Sequence, residues 1–436
     1  MTRRVLRLRF VRAGAPVFAA TLLWQLSNFV FNAAGARLLG PATFGSLAAA
    51  VGLLYLVNPL LITIQTVASR ETTAYISAGR TAELRSAIRF YGIRLGVAGG
   101  IVCVALCAAS PWIAGFLKID TPGPVVVLAL ALPIWCIALL QRGVFQGSQR
   151  FGRLAISTTV EALAKIVSAI ALLSLFWRGA TGGMLAVVVG AACALVVGAL
   201  MLDYLPHSEE RRSPSVHPAR YSAVTLATLV LLAVLLSTDT LAAKHYMSPH
   251  TAGLYAGVSI CGKIVYFVTS VLSIYLFPLF SAHHDRGHDA RKRLGIALAV
   301  VLGGTLVIAA VLSIEPQLVV TPLLGSKFAA AGQYVGLAGI AFGLYGCVYL
   351  SAMYLLAHRQ SAVIAVLGVA AGAFIVQLYN SHSTIPQVLQ VLVVTFGVTA
   401  AVLTAWAMAR KPAAASTPTI VLDGHRAEEA TAMVSG

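Results

Sequence analysis

An amine inside an oily stretch is the first chemistry the sequence offers. Residues 253–278 are long and apolar enough to cross a bilayer, yet Lys263 stands near their middle. At helical spacing Ser259, Lys263, Tyr266, Ser270 and Ser273 share one face. A charge at mid-membrane depth costs a few kcal/mol or more unless it meets water, an anion or a carboxylate. That face is expected to look at another helix or at a wet cavity.

Similar stripes recur in three other apolar stretches. Thr21, Gln25, Asn28, Asn32 and Gly35 share a face in the first; Tyr55, Asn58, Gln65 and Ser69 in the second; Tyr221, Thr225, Thr228 and Asp239 in the seventh. Amides buried against lipid leave donors and acceptors unmade. A hydrated cavity shared by these helices answers all the stripes, whereas Ser and Thr alone fit ordinary helix packing. Asn28, Asn32, Gln65 and Lys263 are therefore the residues expected to face the cavity.

Further charges need a place. Glu161 and Lys165 lie four apart and suit mutual neutralisation, with a transport role as the alternative. Asp239 is a conceivable partner for Lys263, but its position near the end of its stretch argues against that; an ion-responsive carboxylate is the alternative. Arg37 and Arg142 flank the polar helices at opposite membrane faces. They serve either topology or a phosphate, which a guanidinium binds in two-pronged fashion. The run His283–Asp289 is not expected to hold a metal, lying in a loop beside Arg291, Lys292 and Arg293. No glycine-rich phosphate loop ending in Lys-Ser/Thr occurs, so ATP hydrolysis is not expected, nor is any cofactor. Outer loops of about ten residues are too short for a catalytic domain, and no enzyme is expected.

These residues need a membrane scaffold. The chain is 59% hydrophobic and 10% charged, with a mean hydropathy of +0.87, against about 25% charge in soluble domains. That makes it an all-α polytopic membrane protein. The net charge of +17 reads as topogenic charge and contact with anionic lipid rather than nucleic-acid binding. All six cysteines sit in apolar runs and read as buried thiols. Arg3, Arg4, Arg7, Arg9 and Arg12 precede a run too long for a signal peptide, which reads as an uncleaved first helix.

Twelve spans are predicted, at 13–36, 45–68, 91–115, 124–146, 154–176, 183–204, 221–243, 253–278, 294–314, 332–356, 361–379 and 387–409. With both termini in the cytoplasm, 24 Lys/Arg fall inside and five (Arg37, Lys118, Arg178, Lys244, Lys327) outside, leaving Lys165 and Lys263 in the membrane. The chain is placed in the inner membrane of a bacterium. The basic stretch 70–94 suggests an interfacial amphipathic helix, or simply topogenic charge.

Pro41-Ala-Thr-Phe-Gly45 opens the second span and Pro249-His-Thr-Ala-Gly253 the eighth, 208 residues apart. Gln149-Arg150-Phe151 and His358-Arg359-Gln360 follow the fourth and tenth near the same offset. Two parallel six-helix halves around a midplane cavity fit this echo. The expected organisation is a lobe over 1–204, a cytoplasmic linker over 205–220, a second lobe over 221–409 and a disordered tail over 410–436.

The segment Ala36-Arg-Leu-Leu-Gly-Pro-Ala-Thr-Phe-Gly-Ser-Leu-Ala48 resembles the first-to-second helix signature of polysaccharide flippases in the multidrug/oligosaccharidyl-lipid/polysaccharide (MOP) exporter superfamily. Asp239-Thr-Leu-Ala-Ala-Lys-His-Tyr-Met-Ser-Pro249, Ala252-Gly-Leu-Tyr-Ala256, Phe277-Pro-Leu-Phe-Ser281 and Leu324-Gly-Ser-Lys-Phe328 are similar to later landmarks. The resemblance implies a two-lobed alternating-access transporter that moves polyprenyl-(di)phosphate-linked glycans to the outer leaflet. Gln25, Asn28, Asn32, Asn58, Gln65 and Tyr266 would then meet sugar, and Lys263, Arg37 or Arg142 the phosphate; Asp239, Glu161 and Lys165 are ion-coupling candidates. The first span lacks the mid-helix arginine typical of the peptidoglycan-precursor branch, which favours another glycan. The expected partners are the lipid-linked oligosaccharide, membrane lipids, and glycosyltransferases or a polymerase of the same pathway. Two rival readings are a cation-coupled multidrug exporter and a non-transporting scaffold of a glycan-assembly complex.

Overall fold

Apolar stretches in which every backbone group must bond internally form helices, and helices account for nearly all of the described residues. The computed structural model describes residues 3–202, 219–282, 287–358 and 360–409. The first half comprises α1 (Arg3–Leu39), α2 (Pro41–Ser77), α3 (Thr81–Phe116), α4 (Gly123–Gly147), α5 (Phe151–Ala171, continued by a π-helical Leu172–Phe176) and α6 (Ala180–Leu202). The second comprises α7 (Ala219–Tyr246), α8 (Pro249–Ala282), α9 (Gly287–Ile314), α10 (Gln317–Leu324), a 3-10 turn at Ser326–Ala331, α11 (Gly332–Ala357), α12 (Val363–Asn380) and α13 (Ile385–Ala409).

Each of the twelve predicted spans is covered by one helix. Eleven are long and apolar enough to cross a membrane within the described residues, and the remaining span falls on the 34-residue α8. The addition is α10 with its 3-10 turn, in what the sequence leaves as a loop. The expected linker lies outside the described residues up to 218, α7 starting at Ala219; the tail from 410 and the stretch 283–286 lie outside them too.

Residues 70–94 do not form a separate interfacial helix. At 37 residues, α2 is about 55 Å long, well beyond a hydrocarbon core of about 30 Å. It runs through Ser77, and α3 begins at Thr81. Gly79 turns the chain at φ 71°, while Arg80 N–H closes on Tyr75 O. The same i to i−5 closure ends α3 and α4 through Lys118 (φ 50°) and Gln149 (φ 56°), a helix stop usually given to glycine.

Helices α1 to α6 pack as one lobe, α4 against α2, α3 and α6, and α5 against α1 and α6. In the other lobe α11 is central, bounded by α8, α9 and α13. The lobes meet chiefly where α2 crosses α7 and α8. There the two echoed glycines touch. A Cβ on Gly45 would stand 3.1 Å from Gly253 Cα, and one on Gly253 only 1.8 Å from Pro41 O. Phe44 meets Phe328 edge-on at 5.7 Å, and His245 stacks on Phe116 at 4.2 Å. Arg37 Nε donates to Leu323 O at 3.2 Å, and its Nη2 to the Thr321 and Pro322 carbonyls. These contacts gather at the end that carries Arg37, Lys118, Lys244 and Lys327.

Candidate functional site

Inside the first lobe, α1, α2, α4 and α5 present polar side chains to one cavity of about 690 Å³, its open mouth included. Lys165 on α5 donates to Asn28 Oδ1 on α1 at 2.5 Å and lies 5.4 Å from the Trp24 ring. Arg142 on α4 donates to Ser157 Oγ (3.1 Å) and Ser157 O (3.0 Å) and ion-pairs with Glu161 at 2.5 Å. All three charges are buried: Arg142 is 6% exposed, Glu161 6% and Lys165 4%. Asn32, Tyr55, Asn58 and Trp135 complete the lining.

One expectation gains a partner here. Glu161 ion-pairs with Arg142, whose guanidinium Ser157, four residues earlier on α5, also holds, while Lys165 acts on the same carboxylate electrostatically, as the four-residue spacing predicts. Arg142 is buried inside the lobe, five residues before the end of α4. The cluster holds two cations and one carboxylate, a formal excess of +1. Such an excess in a low-dielectric site is stabilised by water or by an anion.

A second hollow, of about 460 Å³ with its open side included, straddles the seam. Asn32 and Tyr55 line it from one lobe; Thr240, Ser259, Lys263 and Phe267 line it from the other. Lys263 thus borders a space at mid-helix, and it does not stand alone. It ion-pairs with Asp239 at 3.6 Å, donates to Thr240 Oγ1 at 3.3 Å and lies 5.2 Å from the Phe342 ring. Asp239 is wholly buried and also accepts from Tyr255 (2.8 Å) and Ser259 (2.9 Å). The depth argument against this pair fails for a geometric reason. Side chains lean toward the N-terminus of their own helix, so on antiparallel α7 and α8 the two reach toward each other's depth.

Other expected cavity residues are held elsewhere. Gln65 donates to Gln146 Oε1 at 3.0 Å where α2 packs on α4. Gln25 lines neither hollow. Tyr266 is buried against Tyr345 and Tyr349, with ring centroids at 4.8 and 5.7 Å. Arg37 clasps α10, and Thr228 bonds Val224 O on its own helix. The side chains of Tyr221, Ser270 and Ser273 and the His283–Asp289 run lie outside the described residues. Trp24 and Trp135 are cavity residues that the sequence reading passed over. Trp24 stands four before Asn28 and Trp135 seven before Arg142, so helical spacing carries the signal.

A family described as polysaccharide biosynthesis protein matches residues 36–333. The chain belongs to that family. No curated protein matches the sequence significantly. Among solved structures, an inward-facing multidrug resistance MATE family transporter of the MOP superfamily is similar over 88% of this chain and 93% of its own, at 10% identity and a TM-score of 0.73. An outward-facing MATE transporter covers 91% and 94% at 13% identity, with a TM-score of 0.61. A MOP superfamily transporter from Pyrococcus furiosus Vc1, whose binding pocket is described as reversed in polarity, covers 91% and 94% at 13% identity and 0.57. This member of the polysaccharide biosynthesis family therefore has the fold of MOP-superfamily transporters and is a multi-pass membrane protein.

Proposed function

We propose that this protein moves a polyprenyl-(di)phosphate-linked glycan from the inner to the outer leaflet of a bacterial inner membrane by alternating access, with both termini in the cytoplasm. The observation that carries the reading is the first-lobe cavity, where amides and indoles surround a buried cluster with one cation in excess. Sugars hydrogen-bond amides and stack on indoles, and a phosphate matches the surplus charge. Lys165 is the anchor for that phosphate and Arg142 its support, while Asn28, Asn32 and Asn58 serve the sugar. Lys263, already neutralised by Asp239, is secondary. The family description supports a glycan cargo, and the lobes closed at the Arg37 end support an inward-open state under the predicted orientation.

The test is leaflet exchange in proteoliposomes, with a fluorescent polyprenyl-diphosphate oligosaccharide and a membrane-impermeant quencher. Losing one charge-assisted contact, Lys165→Gln should slow exchange about tenfold or more at unchanged protein abundance. A wild-type rate in that variant refutes the anchor. Wild-type vesicles that expel cationic dyes and leave the glycolipid unmoved would favour the multidrug reading instead.

A further inference from the structure

The first-lobe cavity limits how much negative charge a cargo can bring into it. Among the described residues, the charged side chains that line it are Arg142, Glu161 and Lys165. Arg142 is committed: its Nε and Nη2 donate to Ser157, and Nη2 also meets Glu161. Lys165 gives one hydrogen bond, to Asn28 Oδ1, and an ammonium has three N–H groups to give. The excess of one positive charge is therefore offered to a ligand by a single group, the Lys165 ammonium.

The described residues offer no second uncommitted cation nearby. Lys263, in the hollow across the seam, stands 3.6 Å from Asp239, so that pair is neutral. An anion drawn to Lys263 would also meet the wholly buried Asp239 carboxylate. Arg37 is engaged with the carbonyls of α10 at the closed end. The rest of the first cavity's wall is amide, aromatic and aliphatic, without formal charge.

We infer that the cargo's carrier lipid is joined to its glycan through a single phosphate. The inference rests on the glycolipid transport proposed above and names the headgroup that transport takes. A phosphodiester carries one negative charge, which Lys165 balances. A diphosphate diester carries two, and the second finds amides and rings beside it, with the Glu161 carboxylate in the same cavity. An enclosed charge without a counter-ion is strongly unfavourable. Water at the open mouth solvates a second phosphate while the cargo binds. Alternating access removes that water when the mouth closes, so the imbalance weighs on translocation more than on binding.

The test is leaflet exchange in proteoliposomes of the full-length protein. Two fluorescent glycolipids share one oligosaccharide and one prenyl chain and differ only in a monophosphate or a diphosphate link. EDTA is present, since Mg2+ bound to a diphosphate would mask its second charge. The wild type should exchange the monophosphate form about tenfold faster or more, the effect of one unpaired charge in a partly solvated site. Asn58→Lys adds a cation at a half-buried position of the cavity wall and should remove or reverse that preference. Glu161→Gln, which raises the excess by one charge, should act the same way; Asn58→Lys keeps the test decisive where loss of the Glu161 carboxylate unfolds the protein. Gel filtration verifies the folding of both. Equal rates, or faster exchange of the diphosphate form, overturn the inference and leave glycolipid transport standing. A preference that survives Asn58→Lys assigns the selection to headgroup size and overturns it too. Vesicles that move neither glycolipid refute the transport reading, and this inference with it.

Discussion

Replacing Gly253 by alanine should open the seam between the lobes. The added Cβ would stand 1.8 Å from Pro41 O, where an ordinary carbon–oxygen contact is about 3.3 Å, so α2 and α8 must part by about 1.5 Å. Overpacking of this kind costs about 1–3 kcal/mol. The cost falls on the closed arrangement alone, because only there do the two helix starts touch. The closed-to-open ratio should drop about 5- to 150-fold. Spin labels at Asp120 and Ala330, exposed positions of opposite lobes, would read this by electron–electron resonance in a cysteine-free background. The long-distance population should rise in Gly253→Ala. It should rise less in Gly45→Ala, whose Cβ would meet Gly253 at the milder 3.1 Å. Gly100→Ala is the control, since nothing lies within 4 Å of its Cβ position. Folded Gly253→Ala protein with the wild-type distance distribution refutes the seam as the contact that opens.

Glu161→Gln leaves Arg142 and Lys165 buried without a carboxylate and should cost about 3–5 kcal/mol in thermal or denaturant unfolding; Arg142→Gln, which leaves Glu161 to Lys165, should cost less, and the double variant clearly less than the sum. Arg37→Ala removes donors to three carbonyls at the end of α10 and should shift the same spin-label distances toward the open population, by less than Gly253→Ala because Arg37 is exposed.

Span count and helical class were legible because twenty apolar residues between basic loops admit few other structures, and all twelve predicted spans carry a helix. The echo of Pro-x-Thr-x-Gly signalled repetition; that the two glycines would meet face to face is a property of the lobe packing, which no local spacing encodes. Stripes told which residues shun lipid but not what they face. Asn28 and Gln65 look alike in sequence, yet one holds Lys165 in a cavity and the other bonds Gln146 in an exposed contact between α2 and α4. Pairing was legible only within a helix. Glu161 and Lys165 act on each other as their spacing predicts, but the closer partner, Arg142, arrives from another helix. Asp239 and Lys263 were separated by a count of residues along each helix, which ignores the opposite lean of side chains on antiparallel neighbours.

The placement of the buried charges bears on how such a molecule can move. Arg142 with Glu161 closes within the first lobe and Lys263 with Asp239 within the second. Parting the lobes therefore strands neither ion pair, which would cost about 3–5 kcal/mol for each pair broken. What holds the seam is close glycine packing, ring stacking and one arginine on peptide carbonyls. These are short-range contacts that vanish within an ångström or two, so the seam behaves as closed or open with little between. Asn32 and Tyr55 line both hollows, one within the lobe and one across the seam. A ligand held at Lys165 and reaching past them would touch the second lobe only while the seam is shut. Under the proposed function, those two side chains would couple cargo binding to lobe separation, and a cargo too short to pass them should be bound without biasing the seam.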